Sequence, residues 1–295
     1  APLKGPAAAP AAPVAGAGIG AGAPSFAERP TPPASSPQSY PAGGKTMTEA
    51  KKVALVTGGI GGIGTAICRR LARDGFQVVA NHHPSETEAA LSWKNDQAAD
   101  GLDIDTIGAD VASFEDSGRM VAEIRERHGP VAVLVNCAGI TRDKTFKKME
   151  ESHWRAVIDV NLNSVFNVTR QVWEDMLEGG FGRIVNISSV NGQRGQFGQA
   201  NYAAAKAGMH GITMTLAQEG AAKGITVNTV SPGYVKTAMT DAIREDIREA
   251  IVGGIPMRRM ALPEEIASAV AFLAGDDQAY ITGANIPING GLFMH

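Results

Sequence analysis

The chain has 295 residues, is 44% hydrophobic and carries a formal net charge of -3 at pH 7. This length and composition suit one large α/β domain with an appendage. The mildly acidic balance disfavours a nucleic-acid-binding or anionic-membrane-binding surface, and no apolar run reaches the length that spans a bilayer. The two cysteines, Cys68 and Cys137, form no CxxC pair or disulfide framework, which predicts a reducing, cytoplasmic compartment.

Residues 1–46 differ in composition from the rest of the chain. They are mostly Ala, Pro and Gly and hold ten of the sixteen prolines. Such a segment buries too little apolar surface to offset the entropy of ordering it, and its prolines interrupt the weakly apolar stretch that follows Lys4. We therefore predict a disordered extension, an expression remnant or an upstream translated stretch rather than a targeting peptide, with one folded domain over residues 47–295.

From Val53 onwards, short β-rich runs alternate with amphipathic helical stretches. The predicted strands are VALVTG, FQVVAN, IDTIGAD, VAVLVNCAG, GRIVNISS, ITVNTVSPG and ANIPING. The predicted helices cover residues 63–73, 86–99, 114–127, 152–177 and 201–223. Strands without polar alternation, separated by helices, predict a parallel sheet that is covered on both faces. We therefore predict a single doubly wound, Rossmann-type α/β domain with a parallel seven-stranded sheet.

The first predicted strand runs directly into TGGIGGIG, residues 57–64, and a helix opens behind it. Glycine permits a tight turn and lets the backbone approach a pyrophosphate without a Cβ in the way. The free N–H groups and the positive dipole end of that helix then favour the phosphates. A simple strand-to-helix turn is the alternative, but the place of the motif in the first βαβ unit favours dinucleotide binding.

The end of the second predicted strand bears on which dinucleotide binds. A carboxylate there binds the ribose hydroxyls of NAD and repels the 2′-phosphate of NADP. The chain has NHHPS at residues 81–85, with no acid before Glu86 and no lysine or arginine. The missing repulsion favours NADP(H) and leaves NAD(H) open, with His82 and His83 as weak phosphate partners. No ligand set of suitable spacing accompanies these histidines, so no metal site is predicted.

The stretch ANYAAAKAG places Tyr202 and Lys206 four residues apart, and therefore on one face of a helix. A free tyrosine has a pKa of about 10, and a neighbouring ammonium lowers that pKa because it favours phenolate. Ser189 lies at the end of the fifth predicted strand, at the edge where parallel sheets bind ligands. We expect Tyr202 to protonate a developing alkoxide while a serine hydroxyl holds the carbonyl. Ser188 would point to the opposite face, and spacing alone does not choose between the two serines.

Together, TGGIGGIG, NCAG, Ser189, YAAAK and SPG resemble the short-chain dehydrogenase/reductase family over nearly all of residues 47–295. The resemblance implies a catalytic tetrad in which Tyr202 is the acid and Ser189, rather than its neighbour, orients the carbonyl. Lys206 would lower the pKa of the tyrosine and hold the nicotinamide ribose. Asn161 would hold a water that links Lys206 to solvent.

The same resemblance assigns cofactor contacts to the glycine loop, to the residues after the third strand beside the adenine, and to two loops beside the nicotinamide. The implied cofactor-binding residues are Gly58, Ile60, Gly61, Gly62, Ile63, Gly64, Asp110, Val111, Cys137, Ala138, Gly139, Ile140, Thr141, Tyr202, Lys206, Pro232, Gly233, Tyr234 and Val235. One departure is Cys137, where the family usually has a second asparagine. A backbone role at that position would make the change harmless, whereas an amide side-chain role would weaken cofactor binding.

Within the family, AGITRD, NISSVNGQRGQFGQANY, AKAGMHG and VSPGY look like bacterial acetoacetyl-CoA reductases of polyhydroxyalkanoate synthesis. This implies NADPH-dependent reduction of acetoacetyl-CoA, or another short 3-oxoacyl thioester, to the (R)-3-hydroxyacyl product. The implied substrate-binding residues are Asp143, Gln196, Phe197, Gly198, Gln199, Gly233 and Tyr234. Phe197 and Tyr234 would wall an acyl-pantetheine channel, and the glutamines would bind thioester or amide oxygens. Without the resemblance, GQRGQFGQ indicates an ordinary loop.

Two alternative functions and an assembly state complete the expectations. A 3-oxoacyl-(acyl-carrier-protein) reductase shares the fold, the tetrad and the reaction, and it predicts an electropositive face for the acidic carrier protein. The candidates for that face, unless they are simply solvated, are Arg258, Arg259, Lys144, Lys147 and Lys148. A non-catalytic nucleotide-sensing protein would not need the full tetrad. The apolar stripes of helices 152–177 and 201–223 exceed what one sheet face needs, and the resemblance implies a homotetramer.

Overall fold

The structure, a computed structural model, describes residues 51–241 and 243–294. The predicted extension over residues 1–46 lies outside the described residues. Within them, seven parallel strands form one sheet in the order β3-β2-β1-β4-β5-β6-β7. This confirms the predicted doubly wound Rossmann-type sheet. The strand order reverses between β1 and β4, and in such sheets ligands bind at that switch point, beyond the carboxyl ends of the strands.

Six strands lie within the predicted runs, and the second extends one residue past FQVVAN, to His82. They are β1 (Val53–Val56), β2 (Gln77–His82), β3 (Ile104–Gly108), β4 (Val131–Asn136), β5 (Gly182–Ile187), β6 (Ile225–Pro232) and β7 (Asn285–Ile288). The helices are α1 (Gly62–Arg73), α2 (Thr87–Ala99), α3 (Phe114–His128), α4 (Glu151–Ile158), α5 (Ser164–Gly179), α6 (Asn191–Arg194), α7 (Ala200–Gly220), α8 (Ala238–Asp241), α9 (Glu245–Gly254) and α10 (Pro263–Ala274).

Both faces of the sheet are buried, and strand β1 shows why. All four of its residues are buried, and successive side chains of a strand point to opposite faces. Ala54 and Val56 join an apolar cluster with residues of α1 and α10 on one face. Val53 and Leu55 join a second cluster with residues of α3 and α5 on the other face. This double burial is why the strands lack the polar alternation of a half-exposed sheet.

The predicted helix over residues 152–177 is interrupted, which corrects the prediction. Between α4 and α5 the chain forms a π-helical segment, Asp159–Asn163, that contains the predicted catalytic residue Asn161. Asn163 Nδ2 donates to Asp159 Oδ1 at 2.8 Å, and Ser164 Oγ donates to the Val160 carbonyl at 2.6 Å. These side-chain bonds stabilise the altered backbone locally, and apolar periodicity does not reveal it because both flanking segments remain helical.

Between β6 and β7 the prediction was incomplete, since it placed no helix there. The structure has α8, α9 and α10 in that interval. Helix α10 begins at Pro263, and the Leu262 amide donates to the Glu265 carboxylate at 2.8 Å. Proline at the first helical position and a carboxylate that accepts from the preceding amide are recognised start signals, so this helix was available to sequence reasoning.

A row of buried polar side chains fixes α7 over the centre of the sheet. Asn136 Nδ2 donates to Asn186 Oδ1 at 2.8 Å, which joins β4 to β5. Asn186 Nδ2 donates to Thr213 Oγ1 on α7 at 2.9 Å, and that hydroxyl lies 2.8 Å from Thr229 Oγ1 on β6. Because buried polar groups cost free energy when unpaired, the row favours one position of α7, and so of Tyr202 and Lys206, on the sheet.

Candidate active site

The loops that follow β1 and β4 meet at the switch point and are hydrogen-bonded to each other. Thr57 Oγ1 accepts hydrogen bonds from the amides of Cys137 at 3.0 Å and Ala138 at 3.1 Å. Thr57 was part of the quoted glycine motif but was not assigned a role from the sequence. Its hydroxyl sets the distance between the glycine loop and the NCAG loop, which form two walls of the crevice.

The glycine loop leaves no room for side chains where the chain turns. Gly58 has φ +61°, and a Cβ there would lie 2.9 Å from the Ala138 Cα. A Cβ on Gly64 would lie 2.2 Å from the Gly58 carbonyl oxygen. Gly61 precedes α1 and makes no side-chain cap hydrogen bond, so the helix presents backbone N–H groups at its start. This cradle fits the pyrophosphate of a dinucleotide.

Three further residues of the glycine loop, Ile60, Gly62 and Ile63, were predicted to contact the cofactor. Ile60 and Ile63 are partly buried and pack their side chains against the apolar cluster under α1. A Cβ on Gly62 would lie 2.8 Å from the Thr237 Cγ2 atom. Thr237, which the sequence analysis did not single out, therefore brings the loop after β6 directly over the start of α1.

The structure separates the two histidines at the end of β2. His82 is 4% exposed, and its Nδ1 lies 2.9 Å from the His83 carbonyl, so it is not available as the predicted phosphate partner. His83 is exposed, and its Nδ1 accepts a hydrogen bond from the Ser85 amide at 3.2 Å. The Glu86 carboxylate folds back and accepts from the His83 amide at 3.2 Å. A carboxylate thus stands at the end of β2 although the sequence places it several residues later.

Asn81, one residue earlier, holds the adenosine side of the crevice together. Its Nδ2 donates to the Ala109 carbonyl at 3.1 Å, and its Oδ1 accepts from the Gly58 amide at 3.4 Å. Next to it, Asp110 caps its own turn, because its Oδ1 accepts from the Ala112 amide at 2.9 Å. Val111 is 6% exposed. The predicted adenine-contacting pair is therefore ordered by its own backbone and packing.

The four predicted catalytic residues lie on three elements that converge at the switch point. Tyr202 and Lys206 lie on α7, with Lys206 Nζ 5.6 Å from the centroid of the Tyr202 ring. Ser189 follows β5, and its side chain lies near enough to the Tyr202 phenol to act on its pKa. Asn161 joins the π-helical segment to the NCAG loop. The structure brings together the whole set that the family resemblance implied.

Asn161 is held by two hydrogen bonds to one residue of the NCAG loop. Its Oδ1 accepts from the Ile140 amide and its Nδ2 donates to the Ile140 carbonyl, each at 2.8 Å. A Cβ on Gly139 would lie 2.6 Å from Asn161 Oδ1 and 3.5 Å from Lys206 Nζ. Gly139 is therefore the close-approach point of the loop, and its neighbour Thr141 continues the same wall.

The structure assigns different partners to the two adjacent serines. Ser188 Oγ donates to the Lys206 carbonyl at 2.8 Å and lies 3.1 Å from His210 Nε2, so it faces the helix backbone. Ser189 Oγ accepts from the Asn191 amide at 3.1 Å, and its hydroxyl acts to lower the pKa of Tyr202. Of the two serines, only Ser189 lies close enough to the Tyr202 phenol to affect its pKa, because the two side chains point in opposite directions.

The ionisation of Tyr202 differs from the expectation that Lys206 lowers its pKa. Burial raises the pKa of Tyr202 to about 12, although the hydrogen bond from Ser189 acts to lower it and the Asp143 carboxylate adds to the rise. Lys206 Nζ donates to the Ile187 carbonyl at 2.8 Å, so its charge is directed to the backbone. Burial outweighs the effect of the Ser189 hydroxyl, so the phenol stays protonated at neutral pH.

Lys206 also has a shifted pKa. It is 3% exposed, and burial lowers the pKa of its ammonium from 10.5 to about 8. Among the described residues, no carboxylate lies within ion-pair distance of its Nζ. A buried ammonium without a counter-ion costs stability, which is the usual mark of a functional charge.

Cys137 meets the crevice through its backbone. The hydrogen bond to Thr57 uses its amide, which any residue at this position supplies. Burial raises the pKa of the Cys137 thiol to about 11, so the side chain is a neutral, weakly polar group at physiological pH. The contact seen here favours the harmless interpretation of the missing asparagine.

The predicted substrate residues lie on two loops that are joined by backbone and side-chain bonds. The Lys144 amide donates to the Gly198 carbonyl at 2.9 Å, and Gln199 Nε2 donates to Asp143 Oδ2 at 2.8 Å. Gly198 has φ +81°, which favours glycine at this turn. Phe197 is 86% exposed. The Phe197 ring is therefore open to solvent on the loop beside the crevice.

Three further predicted positions lie after β6, and Gln196 lies on the loop just described. Gly233 donates its amide to the Ile288 carbonyl at 2.9 Å, and a Cβ there would lie 2.9 Å from the Asn289 Cα. The Pro232 carbonyl accepts a hydrogen bond from the Val190 amide. Val235 pairs with Ala261 in an isolated β-bridge. Tyr234 lines a small cavity together with Ile255 and Met257. Gln196 Oε1 lies 3.4 Å from the Arg194 guanidinium.

Neither a metal-binding cluster nor a membrane-spanning helix occurs among the described residues. No group of three or more His, Cys, Asp or Glu side chains in residues 51–241 and 243–294 is placed to hold a metal ion. No helix in this part of the chain is long and apolar enough to cross a membrane.

Burial of the Lys206 ammonium lowers the free energy of unfolding by an amount that depends on pH, and we expect Lys206→Met to remove this cost. Below pH 8 the folded and unfolded states both carry the charge, and the wild type bears the full burial cost of about 3 kcal/mol, from 1.36 kcal/mol per pKa unit. As the pH rises from about 8 to 10.5, the folded state loses the proton first, so wild-type stability rises relative to the variant. Urea unfolding of both proteins across this range measures the difference; a pH-independent difference would contradict the burial argument.

Comparison with known proteins assigns the family. The sequence profile of the short chain dehydrogenase family matches residues 52–248. The chain is 73% identical over 244 residues to an acetoacetyl-CoA reductase of Allochromatium vinosum, covering 83% of this chain and 99% of that protein. It is 54% identical over 244 residues to an acetoacetyl-CoA reductase of Cupriavidus necator, with the same two coverages.

A more distant relative represents the alternative function. The chain is 44% identical over 243 residues to a 3-oxoacyl-(acyl-carrier-protein) reductase of Staphylococcus aureus, covering 82% of this chain and 98% of that protein. The profile match and these full-length similarities agree with the sheet order, the glycine loop and the arrangement of Ser189, Tyr202 and Lys206. This chain belongs to the short-chain dehydrogenase family.

Proposed function

We propose that the protein reduces acetoacetyl-CoA to (R)-3-hydroxybutanoyl-CoA, a step of poly(3-hydroxybutyrate) biosynthesis. The observation that carries the proposal is the 73% identity to an acetoacetyl-CoA reductase over 99% of that protein's length. It is supported by a crevice in which a protonated phenol, a serine hydroxyl and a buried ammonium lie together. These are the groups that reduction of a ketone needs from the protein.

Tyr202 and Ser189 act on the keto oxygen in this proposal. With a pKa of about 12, Tyr202 carries a proton at neutral pH and can donate it to the oxygen as negative charge develops there. The Ser189 oxygen already accepts from the Asn191 amide, so its one hydroxyl proton, which faces the Tyr202 phenol in the absence of substrate, would turn to the keto oxygen when substrate binds. Two donors on one oxygen stabilise the charge as it forms.

Lys206 and Asn161 serve the other side of the reaction. The Lys206 ammonium would bind the nicotinamide ribose and hold positive charge beneath the phenol, and its pKa of about 8 keeps it mostly charged at neutral pH. Asn161 would hold a water on the path that returns a proton to Lys206. Its two bonds to Ile140 fix its amide rigidly beside the NCAG loop.

The glycine cradle, the free amides of α1 and the loop that carries Thr237 would hold a nicotinamide dinucleotide, as expected for a family that binds NAD(H) or NADP(H). A bound nicotinamide supplies the hydride to the 3-keto carbon. We propose NADP(H) as the cofactor, as in the sequence analysis. Because Glu86 stands at the His83 amide and no lysine or arginine occupies residues 81–86, we also propose that NAD(H) is accepted.

The substrate would lie between the loop of residues 140–148 and the loop of residues 194–199. Asp143 and Gln199 would face polar atoms of the thioester arm, and Phe197 would cover its apolar part. Gln196, Gly198, Gly233 and Tyr234 complete the proposed set. Their roles rest on the resemblance of GQRGQFGQ and VSPGY to the acetoacetyl-CoA reductases.

Two observations bear on the carrier-protein alternative. Arg259 is not free for a carrier protein, because its guanidinium forms two hydrogen bonds with the Glu265 carboxylate, at 2.6 and 2.7 Å. Lys144, Lys147 and Lys148 are exposed beside the crevice. They suit the phosphates of coenzyme A as well as an acidic protein, so the identity difference, 73% against 44%, favours the CoA ester.

The apolar surface of the helices supports a proposed homotetramer. Phe166 on α5 is 57% exposed and Met214 on α7 is 53% exposed. The Phe166 ring stacks on Phe114 with centroids 5.9 Å apart. Exposed apolar side chains on neighbouring helices favour burial against a second copy of the chain, which sedimentation of the full chain measures.

The disordered extension and the cytoplasmic location stay predictions from the sequence.

The substrate assignment is tested by following NADPH oxidation with acetoacetyl-CoA and with an acetoacetyl carrier-protein conjugate at matched concentrations. We expect a higher kcat/KM for the CoA ester by at least about tenfold, which corresponds to 1.4 kcal/mol of transition-state discrimination. A preference for the carrier-protein conjugate would contradict the proposed substrate and assign the enzyme to fatty-acid synthesis. Turnover of neither thioester would favour the non-catalytic nucleotide-binding alternative.

The role of Tyr202 is tested by Tyr202→Phe. Loss of the proton donor should lower kcat by about 10²- to 10⁴-fold, the usual contribution of a general acid, while cofactor affinity stays close to wild type. Nucleotide binding by fluorescence provides the control for folding. Tyr280→Phe, at a fully exposed tyrosine outside the site, is the matched variant, and it should retain most of the activity. Wild-type turnover by Tyr202→Phe would contradict the mechanism.

A further inference from the structure

Asn191 lies in the turn between β5 and α7 and contacts the catalytic region twice. It is 9% exposed, and its amide N–H donates to Ser189 Oγ at 3.1 Å. The next residue, Gly192, is pressed against α7, because a Cβ there would lie 2.8 Å from the Lys206 carbonyl carbon. The position of this turn is therefore coupled to the residues that carry the chemistry.

The Asn191 side chain starts a directed chain of hydrogen bonds. Asn191 Nδ2 donates to Gln199 Oε1 at 2.9 Å, and Gln199 Nε2 donates to Asp143 Oδ2 at 2.8 Å. The chain joins three loops, which follow β4, follow β5 and precede α7. It runs from a buried amide through a half-buried amide to an exposed carboxylate.

The direction of this chain is set by its outer end. A carboxylate accepts hydrogen bonds and donates none, so Asp143 requires the NH₂ group of Gln199 to face it. The oxygen of Gln199 then faces Asn191, which donates a hydrogen bond to it through its own NH₂ group. If both amides were reversed, Gln199 would face Asp143 oxygen to oxygen. The observed orientation is the one that the three groups permit together.

This orientation leaves a buried polar atom without compensation. Asn191 Oδ1 is buried and has no hydrogen-bond partner among the described residues. An unpaired buried carbonyl oxygen costs free energy, so stability alone does not favour asparagine here. What asparagine supplies is the donor that orients Gln199, and through it the carboxylate whose charge reaches the Tyr202 phenol.

We propose that Asn191 is a positioning residue that orients Gln199, and through Gln199 the carboxylate of Asp143, for binding of the thioester substrate. The proposal rests on the proposed function, in which Asp143 and Gln199 contact the substrate. Asn191 itself acts through these two residues and through the Ser189 turn.

The first variant is Asn191→Leu, which is close in size and removes both the donor and the unpaired oxygen. The KM for acetoacetyl-CoA should rise about tenfold, the value of one lost hydrogen bond of ordinary strength. The kcat should stay within about twofold and cofactor affinity should not change. The urea midpoint should also stay close to wild type, because the variant loses an unpaired polar atom. A fall in stability with unchanged KM would show a merely structural role and overturn the proposal.

The second test reverses the direction of the hydrogen-bond chain that runs from Asn191 through Gln199 to Asp143. N191D places a carboxylate at the inner end, so Gln199 has an acceptor on both sides and cannot satisfy them both through one NH₂ group. D143N then supplies an amide at the outer end. In N191D/D143N the chain can run in the opposite direction, from position 143 through Gln199 to position 191. Asn95→Asp, on the exposed surface of α2, is the matched control for an added charge.

Two readouts are taken for the single variants, the double variant and the control. We expect the rise in KM of N191D/D143N to be smaller than the two single-variant effects combined, and the unfolding free energies in urea to show a favourable coupling between the two positions. Additive effects in both readouts would overturn the proposal. The unfolding cycle needs no substrate, so it tests the coupling between positions 191 and 143 even if wild-type protein fails to reduce acetoacetyl-CoA, a result that would overturn the proposed function alone.

Discussion

Loss of water around the Tyr202 phenol and the Lys206 ammonium is the constraint on which the chemistry of this site depends. Burial penalises the charged form of each group, so it raises the pKa of the phenol to about 12 and lowers that of the ammonium to about 8. At neutral pH the phenol keeps its proton and the ammonium keeps most of its charge. The site is therefore prepared to donate a proton, which is the direction that ketone reduction requires.

The fold supplies what this burial needs. Helix α7 is fixed on the sheet by the row of hydrogen bonds from Asn136 through Asn186 and Thr213 to Thr229, which leaves it little freedom to slide. The loops after β1 and β4 are tied by Thr57, and Asn161 is tied to the NCAG loop. The groups that meet at the switch point are thus held by elements that are rigid before a ligand arrives, which limits the cost of reorganisation.

Much of the fold and of the site could be predicted because the signals are local. Buried parallel strands are apolar throughout, a glycine-rich turn marks close backbone approach, and the spacing of Tyr202 and Lys206 follows from helix geometry. The choice of Ser189 over Ser188 needed the family resemblance, and the structure supports it through the different partners of the two hydroxyls.

Other features depend on contacts that sequence spacing does not contain. The π-helical turn at Asn161 lies between two ordinary helices, and the return of Glu86 to the His83 amide depends on a turn of the backbone. The sign of the Tyr202 shift was missed because the proximity of Lys206 was considered and the burial of the phenol was not. The chain from Asn191 to Asp143 joins residues that are far apart in the sequence, so only the folded structure shows its direction.

The most direct measurement is the ionisation of Tyr202 itself, from the ultraviolet absorbance of phenolate in the wild type minus that in Tyr202→Phe. The titration is followed upward from neutral pH, with circular dichroism to confirm that both proteins stay folded. We predict no phenolate signal from Tyr202 up to the ordinary tyrosine value of 10.0, because its pKa lies near 12. A midpoint well below 10.0 would contradict the account, since it would show that the Lys206 charge outweighs the burial of the phenol.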